Sequence, residues 1–248
     1  MKTIVITGAS KGIGKELAKK LSSKNINLIL GARSLEKLEE LQLVNTHCIK
    51  LDLTSEESII NFFTEIKEKY NHIDILINNA GIGYNALIKD TNITKAKELF
   101  DINFFGLVAC SKEALNGLMN KNGKIVNIAS QVAFRGLPEI SMYCASKAAV
   151  KSFSESLNVE AHKQGIKVIV IYPEKINTGF HKTTNNNSKL EKPIIDGKMN
   201  TSEIADYIIE KIKQGKFENI PILSGSLLKY INVHYPKILD KKFSKRLT

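Results

Sequence analysis

Tyr143 and Lys147 stand four residues apart in Tyr-Cys-Ala-Ser-Lys, thirteen residues after Ser130, which follows the apolar run Lys124-Ile125-Val126-Asn127-Ile128-Ala129. On a helix, residues i and i+4 share a face. An ammonium would then lie beside a phenol, and a hydroxyl at a neighbouring strand end could reach the same point. A phenol, an ammonium and a hydroxyl brought to one point are the parts of a proton-transfer site. A Tyr-x-x-x-Lys pair alone also occurs on solvated helix faces, so the reading depends on what the rest of the chain supplies.

The N-terminus supplies a second chemical feature. Thr3-Ile4-Val5-Ile6 reads as a buried strand and runs into Thr7-Gly8-Ala9-Ser10-Lys11-Gly12-Ile13-Gly14, after which Leu17, Ala18 and Leu21 mark the apolar face of a helix. Glycines permit close backbone approach, and the free amides and positive end of the following helix favour the pyrophosphate of a dinucleotide. A glycine turn can also be purely steric, and only the flanking strand and helix make it a phosphate cradle.

With both features in one chain, the sequence resembles the short-chain dehydrogenase/reductase family over nearly its whole length. The family fingerprint Thr-Gly-x-x-x-Gly-x-Gly stands at Thr7 to Gly14, and Asn-Asn-Ala-Gly at Asn78-Asn79-Ala80-Gly81. The helix asparagine is Asn103, in Asp101-Ile102-Asn103-Phe104-Phe105-Gly106, and the set closes with Ser130, Tyr143 and Lys147. The resemblance implies hydride transfer between a nicotinamide and a carbonyl carbon. Tyr143 would act as general acid/base, Lys147 would hold the nicotinamide ribose and, together with the positive charge of the oxidised nicotinamide, lower the Tyr143 pKa, Ser130 would bind the substrate oxygen, and Asn103 would hold a water that connects Lys147 to solvent. It also implies cofactor contacts at Thr7, Gly8, Ser10, Lys11, Gly12, Ile13 and Gly14, at Asp52 and Leu53 after the third strand, at Asn79, Ala80 and Gly81, and at Pro173, Ile176 and Thr178. One departure is visible: the family usually has Pro-Gly where this chain has Pro173-Glu174.

Strand-like runs recur near Ile26 to Leu30, Thr46 to Leu51, Ile73 to Ile77, Lys124 to Ala129, Ile166 to Tyr172 and Asn219 to Leu223, separated by helical patterns. Short apolar strands alternating with amphipathic helices predict a single-domain α/β Rossmann fold, a doubly wound parallel sheet of about seven strands covered on both faces. Thr7, Asn78, Ser130 and Pro173 each follow such a run, so every motif falls at the carboxyl edge of the sheet. The whole chain, 1–248, reads as one dinucleotide-binding domain. Within it, 181–200 is a polar Asn- and Lys-rich stretch where the family places a substrate lid, and 224–248 is a basic amphipathic tail. That tail is expected to pack on the domain or a partner subunit in preference to an anionic membrane. Phe134, Leu137 and Met142 are candidates for an apolar substrate pocket.

The second strand ends Leu30-Gly31-Ala32-Arg33, with Ala32 where an NAD-preferring fold usually presents a carboxylate to the ribose. Removing that acid relieves repulsion of a 2′-phosphate, and Arg33 and Lys11 supply cations, so NADP(H) is the expected cofactor. The net charge of +11 reads as lysines spread over solvated helix faces and not as a nucleic-acid surface. Cys48, Cys110 and Cys144 show no C-x-x-C spacing and the five histidines no ligand spacing, so no metal site is expected. No apolar run reaches the roughly 18 residues of a spanning helix. A reduced, cytoplasmic setting fits, and relatives of this kind are commonly homodimers or homotetramers. The substrate class stays open between simple ketones, 3-oxoacyl thioesters and lipid-like ketones. An NADP-binding protein without catalysis is the rival from another class.

Overall fold

The computed structural model describes residues 1–174, 199–219, 230–235 and 237. Seven strands form one sheet, β1 (Lys2–Thr7), β2 (Ile26–Ala32), β3 (Thr46–Lys50), β4 (Ile73–Asn78), β5 (Met119–Ile128), β6 (Lys167–Ile171) and β7 (Glu218–Asn219), in the order β3-β2-β1-β4-β5-β6-β7. Every neighbouring pair is parallel. The strand order reverses direction between β1 and β4, the topological switch point above which doubly wound sheets bind ligands.

Period-two alternation within the strands assigns residues to the two faces. Ile4 and Ile6 of β1, Leu28 and Leu30 of β2 and Ile169 and Ile171 of β6 pack under α1 (Gly12–Leu21) and α7 (Thr201–Gln214) through Leu17, Ile204 and Ile208. Val5, Ile29 and Leu76 turn the other way, against Phe62, Phe63 and Ile66 of α3 (Glu56–Tyr70) and Cys110 and Ala114 of α5 (Gly106–Leu115). The same face continues under α6 (Ser141–His162), where Val150 and Leu157 meet Ile125, Val168 and Val170. Burial on both sides favours apolar residues at successive positions, which explains runs such as Ile4-Val5-Ile6, Leu28-Ile29-Leu30 and Val168-Ile169-Val170-Ile171.

Two short elements complete the frame, α2 (Glu36–Glu39) after β2 and α4 (Ile93–Phe100) before α5. Ser55 caps α3 by accepting from the Ser58 amide, and Asn200 opens α7 with a capping box closed by Glu203. Between α4 and α5 the helix widens into a π turn, Asp101–Phe105, and this turn carries Asn103. Of the expected sixth strand-like run, Asn219 alone is described. Ile176, Thr178, residues 181–198 of the expected lid and most of 224–248 lie outside the described residues.

Candidate active site

The glycine turn leaves β1 and packs directly against the end of β4. Gly8 has φ +68°, and a Cβ there would come within 2.6 Å of the Ala80 Cα. A Cβ on Gly14 would come within 2.5 Å of both the Asn79 Nδ2 and the Gly8 carbonyl. Only glycine fits this double approach. Thr7 and Asn79 lock the two strand ends together. The Thr7 hydroxyl accepts from the Asn79 and Ala80 amides at 3.1 and 3.2 Å, while Asn79 Nδ2 donates to the Thr7 and Gly8 carbonyls at 3.0 and 3.1 Å. These two side chains hold the cradle's shape from beneath.

The cradle opens at the N-terminus of α1, where Lys11 makes no side-chain cap and the first turn holds no acid. Such an end presents unpaired amides and a positive dipole, which suit a pyrophosphate. Ser10, Gly12 and Ile13 are half-buried along the turn and Lys11 is exposed. At the end of β2, Ala32 is buried and Arg33 exposed. Asp52 accepts from the Thr54 amide and hydroxyl at 3.0 and 2.8 Å, and the Thr54 amide is the main reason its carboxyl is held below the usual range, with Arg33 adding to that. Leu53 packs against the π–α5 junction, where a Cβ on Gly106 would sit 2.6 Å from the Leu53 Cβ. The residues at hand therefore fit a dinucleotide, with phosphate donors at α1 and cations beside β2.

The proton-transfer groups gather on the β4–β5 side of the crevice. Lys147 is 4% exposed, and its Nζ donates to the Ile128 carbonyl at 2.9 Å, two residues before Ser130. The same Nζ lies 5.9 Å from the centre of the Tyr143 ring and 3.6 Å from where a Gly81 Cβ would stand. The Ser130 hydroxyl is close enough to the Tyr143 phenol to act on its ionisation. Burial pushes the Tyr143 phenol up to about 12, against the lowering effect of Ser130. Among the protein's own groups, desolvation of the phenolate outweighs the effect of Ser130, so they keep the phenol protonated. Burial likewise pushes the Lys147 ammonium down to about 8.

Asn103 is buried and its amide is used within the protein. Oδ1 accepts from the Ile82 amide at 2.8 Å, and Nδ2 donates to the Ile82 carbonyl at 2.9 Å and to the Ser146 hydroxyl at 3.2 Å. Ser146 donates in turn to the Tyr143 carbonyl at 2.8 Å. Asn103 thus fastens the segment after Gly81 to the helical turn that carries Tyr143 and Lys147. The widened π turn is a common device at functional sites, and here it brings the asparagine out of register with the regular helix.

Several contributors escape a motif-based reading. Asn78 donates to Ser111 at 3.1 Å and to the Asn127 Oδ1 at 2.9 Å, and Asn127 donates to Ser154 at 2.9 Å. All four side chains are buried, so a polar ladder runs from α5 through β4 and β5 to α6. Asparagines in otherwise apolar strands were its only sequence signal. Gln131, next to Ser130, is 2% exposed and its Nε2 has no partner among the described residues. Phe134 and Leu137 are buried, Phe134 with its ring centre 4.6 Å from that of Tyr172 and Leu137 in a cluster with Val132 and Cys144 against which Ile231 packs; Met142 is half-buried. The described part of the tail packs on this rim. Asn232 donates to the Phe134 carbonyl at 2.6 Å and accepts from Arg135 at 2.9 Å. Among the described residues there is no cluster of His, Cys, Asp and Glu able to hold a metal, and no helix long and apolar enough to cross a membrane.

The family profile described as short chain dehydrogenase matches residues 2–189. A mouse protein named dehydrogenase/reductase SDR family member 7B is 32% identical over 229 residues, covering 86% of this chain and 71% of that protein. An uncharacterised oxidoreductase of Staphylococcus epidermidis is 30% identical over 223 residues, covering 88% of this chain and 94% of its own. Among solved structures, an alcohol dehydrogenase from the archaeon Thermococcus sibiricus complexed with 5-hydroxy-NADP superposes with a TM-score of 0.78 at 27% identity, covering 89% of this chain and 95% of that one. A short-chain dehydrogenase from Sphingobium yanoikuyae in complex with NADPH gives 0.77 at 25% identity, covering 100% and 94%.

Proposed function

Because the chain belongs to the short-chain dehydrogenase family, whose members use a nicotinamide cofactor, we propose that it is an NADP(H)-dependent oxidoreductase interconverting a carbonyl and a secondary alcohol, with Tyr143 as general acid/base. One observation carries the reading. The Ser130 hydroxyl acts on the Tyr143 phenol, and the Lys147 ammonium, 5.9 Å from the Tyr143 ring centre, is held within the same group of strand ends that bears the glycine cradle.

When bound, the nicotinamide supplies or accepts the hydride. The chain's residues manage the proton and the oxygen. With its phenol pushed up to about 12, Tyr143 stays protonated at neutral pH and serves as donor to a substrate oxygen gaining charge. Ser130, 9% exposed, stands beside it to donate to the same oxygen in a largely drained setting, where such a bond is stronger than in water. Lys147 supplies positive charge that stabilises the phenolate left once the proton has passed, and Asn103 keeps the Lys147 helix turn in place. Pro173 closes the β6 side, its carbonyl accepting from the Gln131 amide at 3.0 Å.

NADP is preferred over NAD in this reading because Ala32 replaces a ribose-binding acid and the exposed Arg33 and Lys11 flank the adenosine end. The Thermococcus and Sphingobium structures, solved with 5-hydroxy-NADP and NADPH, lend support. The test is NADPH oxidation, followed at the nicotinamide absorbance, across a panel of ketones, aldehydes and acyl thioesters. Turnover with at least one class is expected. NADPH binding without oxidation by any member of the panel would instead favour a non-catalytic, cofactor-binding role.

A further inference from the structure

A buried carboxylate must be held by hydrogen bonds or opposite charge, because an unsatisfied ion is far costlier to bury than a neutral group. Glu174 is 6% exposed, in the position where the family usually has glycine. Its Oε1 accepts from the Met199 amide at 3.2 Å, and Met199 immediately precedes Asn200, the cap of α7. The peptide following β6 is thereby tied through one side chain to the entrance of α7.

On its other side this peptide governs Ser130. The Ala129 amide donates to the Ile171 carbonyl at 2.8 Å and the Gln131 amide to the Pro173 carbonyl at 3.0 Å. The Ser130 hydroxyl itself faces the Pro173 carbonyl at 3.4 Å, a long contact that orients more than it binds. Ser130 is therefore suspended between two amides that both rest on residues 171–173, and where those residues sit decides where its hydroxyl stands beside Tyr143.

We propose that Glu174 is a positioning residue for Ser130: its carboxylate fixes the Pro173 peptide against the start of α7 and, through that peptide, aims the Ser130 hydroxyl at the substrate oxygen beside Tyr143. This role rests on the dehydrogenase reading above. A glycine at 174 would have no side chain with which to make the tie, whereas a glutamine keeps an acceptor oxygen at the same reach.

The test is a double-mutant cycle in kcat with NADPH and the best carbonyl substrate: wild type, Glu174→Ala, Ser130→Ala and the double variant, with Glu174→Gln as rescue. Expected are a loss of about tenfold in kcat for Glu174→Ala, an NADPH Kd within about twofold of wild type, recovery of most of the rate in Glu174→Gln, and less than about a twofold further effect of Glu174→Ala in the Ser130→Ala background. Should thermal melting show Glu174→Ala to be unfolded, Glu174→Asp, which withdraws the carboxylate by one methylene, takes its place in the cycle. Equal losses in both backgrounds, or a wild-type kcat in Glu174→Ala, would overturn the role of Glu174 while leaving the dehydrogenase reading intact. A wild-type chain that oxidises NADPH with none of the carbonyls would overturn both.

Discussion

Replacing Lys147 by methionine should make the fold more stable at neutral pH while abolishing turnover. The ammonium is 4% exposed, and burial pushes its pKa from 10.5 down to about 8. At about 1.4 kcal/mol per unit, this places roughly 3 kcal/mol of unfavourable desolvation on the folded state whenever the lysine is charged. The sign follows from proton counts. Between pH 8 and 10.5 the unfolded chain keeps the proton that the folded chain has lost, so the wild type gains stability as pH rises through that window, and below pH 8 the full penalty applies. Methionine carries no charge and has a similar length, but it gives up the bond to the Ile128 carbonyl, worth about 1 kcal/mol. The net expectation is a gain of roughly 2 kcal/mol at pH 7, or roughly 4–8 °C in Tm for a chain of this size. Thermal melts of both proteins from about pH 6 to 11 check this. The reasoning fails if Lys147→Met melts below wild type at pH 7, or if the gap between them widens with rising pH instead of closing.

Two other substitutions probe separate parts of the account. Arg33→Asp should lower the ratio of kcat/KM for NADPH to that for NADH by about tenfold or more, since a charge-assisted bond to the 2′-phosphate is worth roughly 1.5–3 kcal/mol; an unchanged ratio would remove Arg33 from the phosphate site. Asn127→Ala leaves the Asn78 and Ser154 partners stranded inside the α5–β4–β5–α6 ladder, so a loss of about 2 kcal/mol and a fall in Tm of roughly 4–8 °C is expected by calorimetry, against no change if the ladder is incidental.

How much of this was legible in the chain depended on whether the information was local. Short apolar runs in the strands and the helical spacing of Leu17, Ala18 and Leu21 announce a parallel sheet covered on both faces, because each signal is contained in a few consecutive residues. The Thr7–Gly14 turn and the Tyr143–Lys147 spacing are local in the same sense. What three-dimensional neighbours decide was hidden. The direction of the Tyr143 shift depends on how deeply its hydroxyl is enclosed. The Asn103 amide is spent on Ile82 and Ser146, which lie 21 and 43 residues away. The burial of Phe134 against Tyr172, and of Leu137 in the cluster on which Ile231 packs, is set by partners far along the chain. Glu174 stood out as a departure from a pattern, but its tie to Met199 spans 25 residues and could not be read from the departure itself.

The central claim is that the Tyr143 phenol passes the proton to the substrate oxygen, and Tyr143→Phe tests it most directly because it deletes one hydroxyl and keeps the ring. NADPH affinity by fluorescence titration and steady-state turnover with the best carbonyl substrate should be measured on the same preparation. The account predicts an NADPH Kd close to wild type with kcat reduced by about a thousandfold or more. A Tyr143→Phe variant that turns over at near the wild-type rate would contradict it.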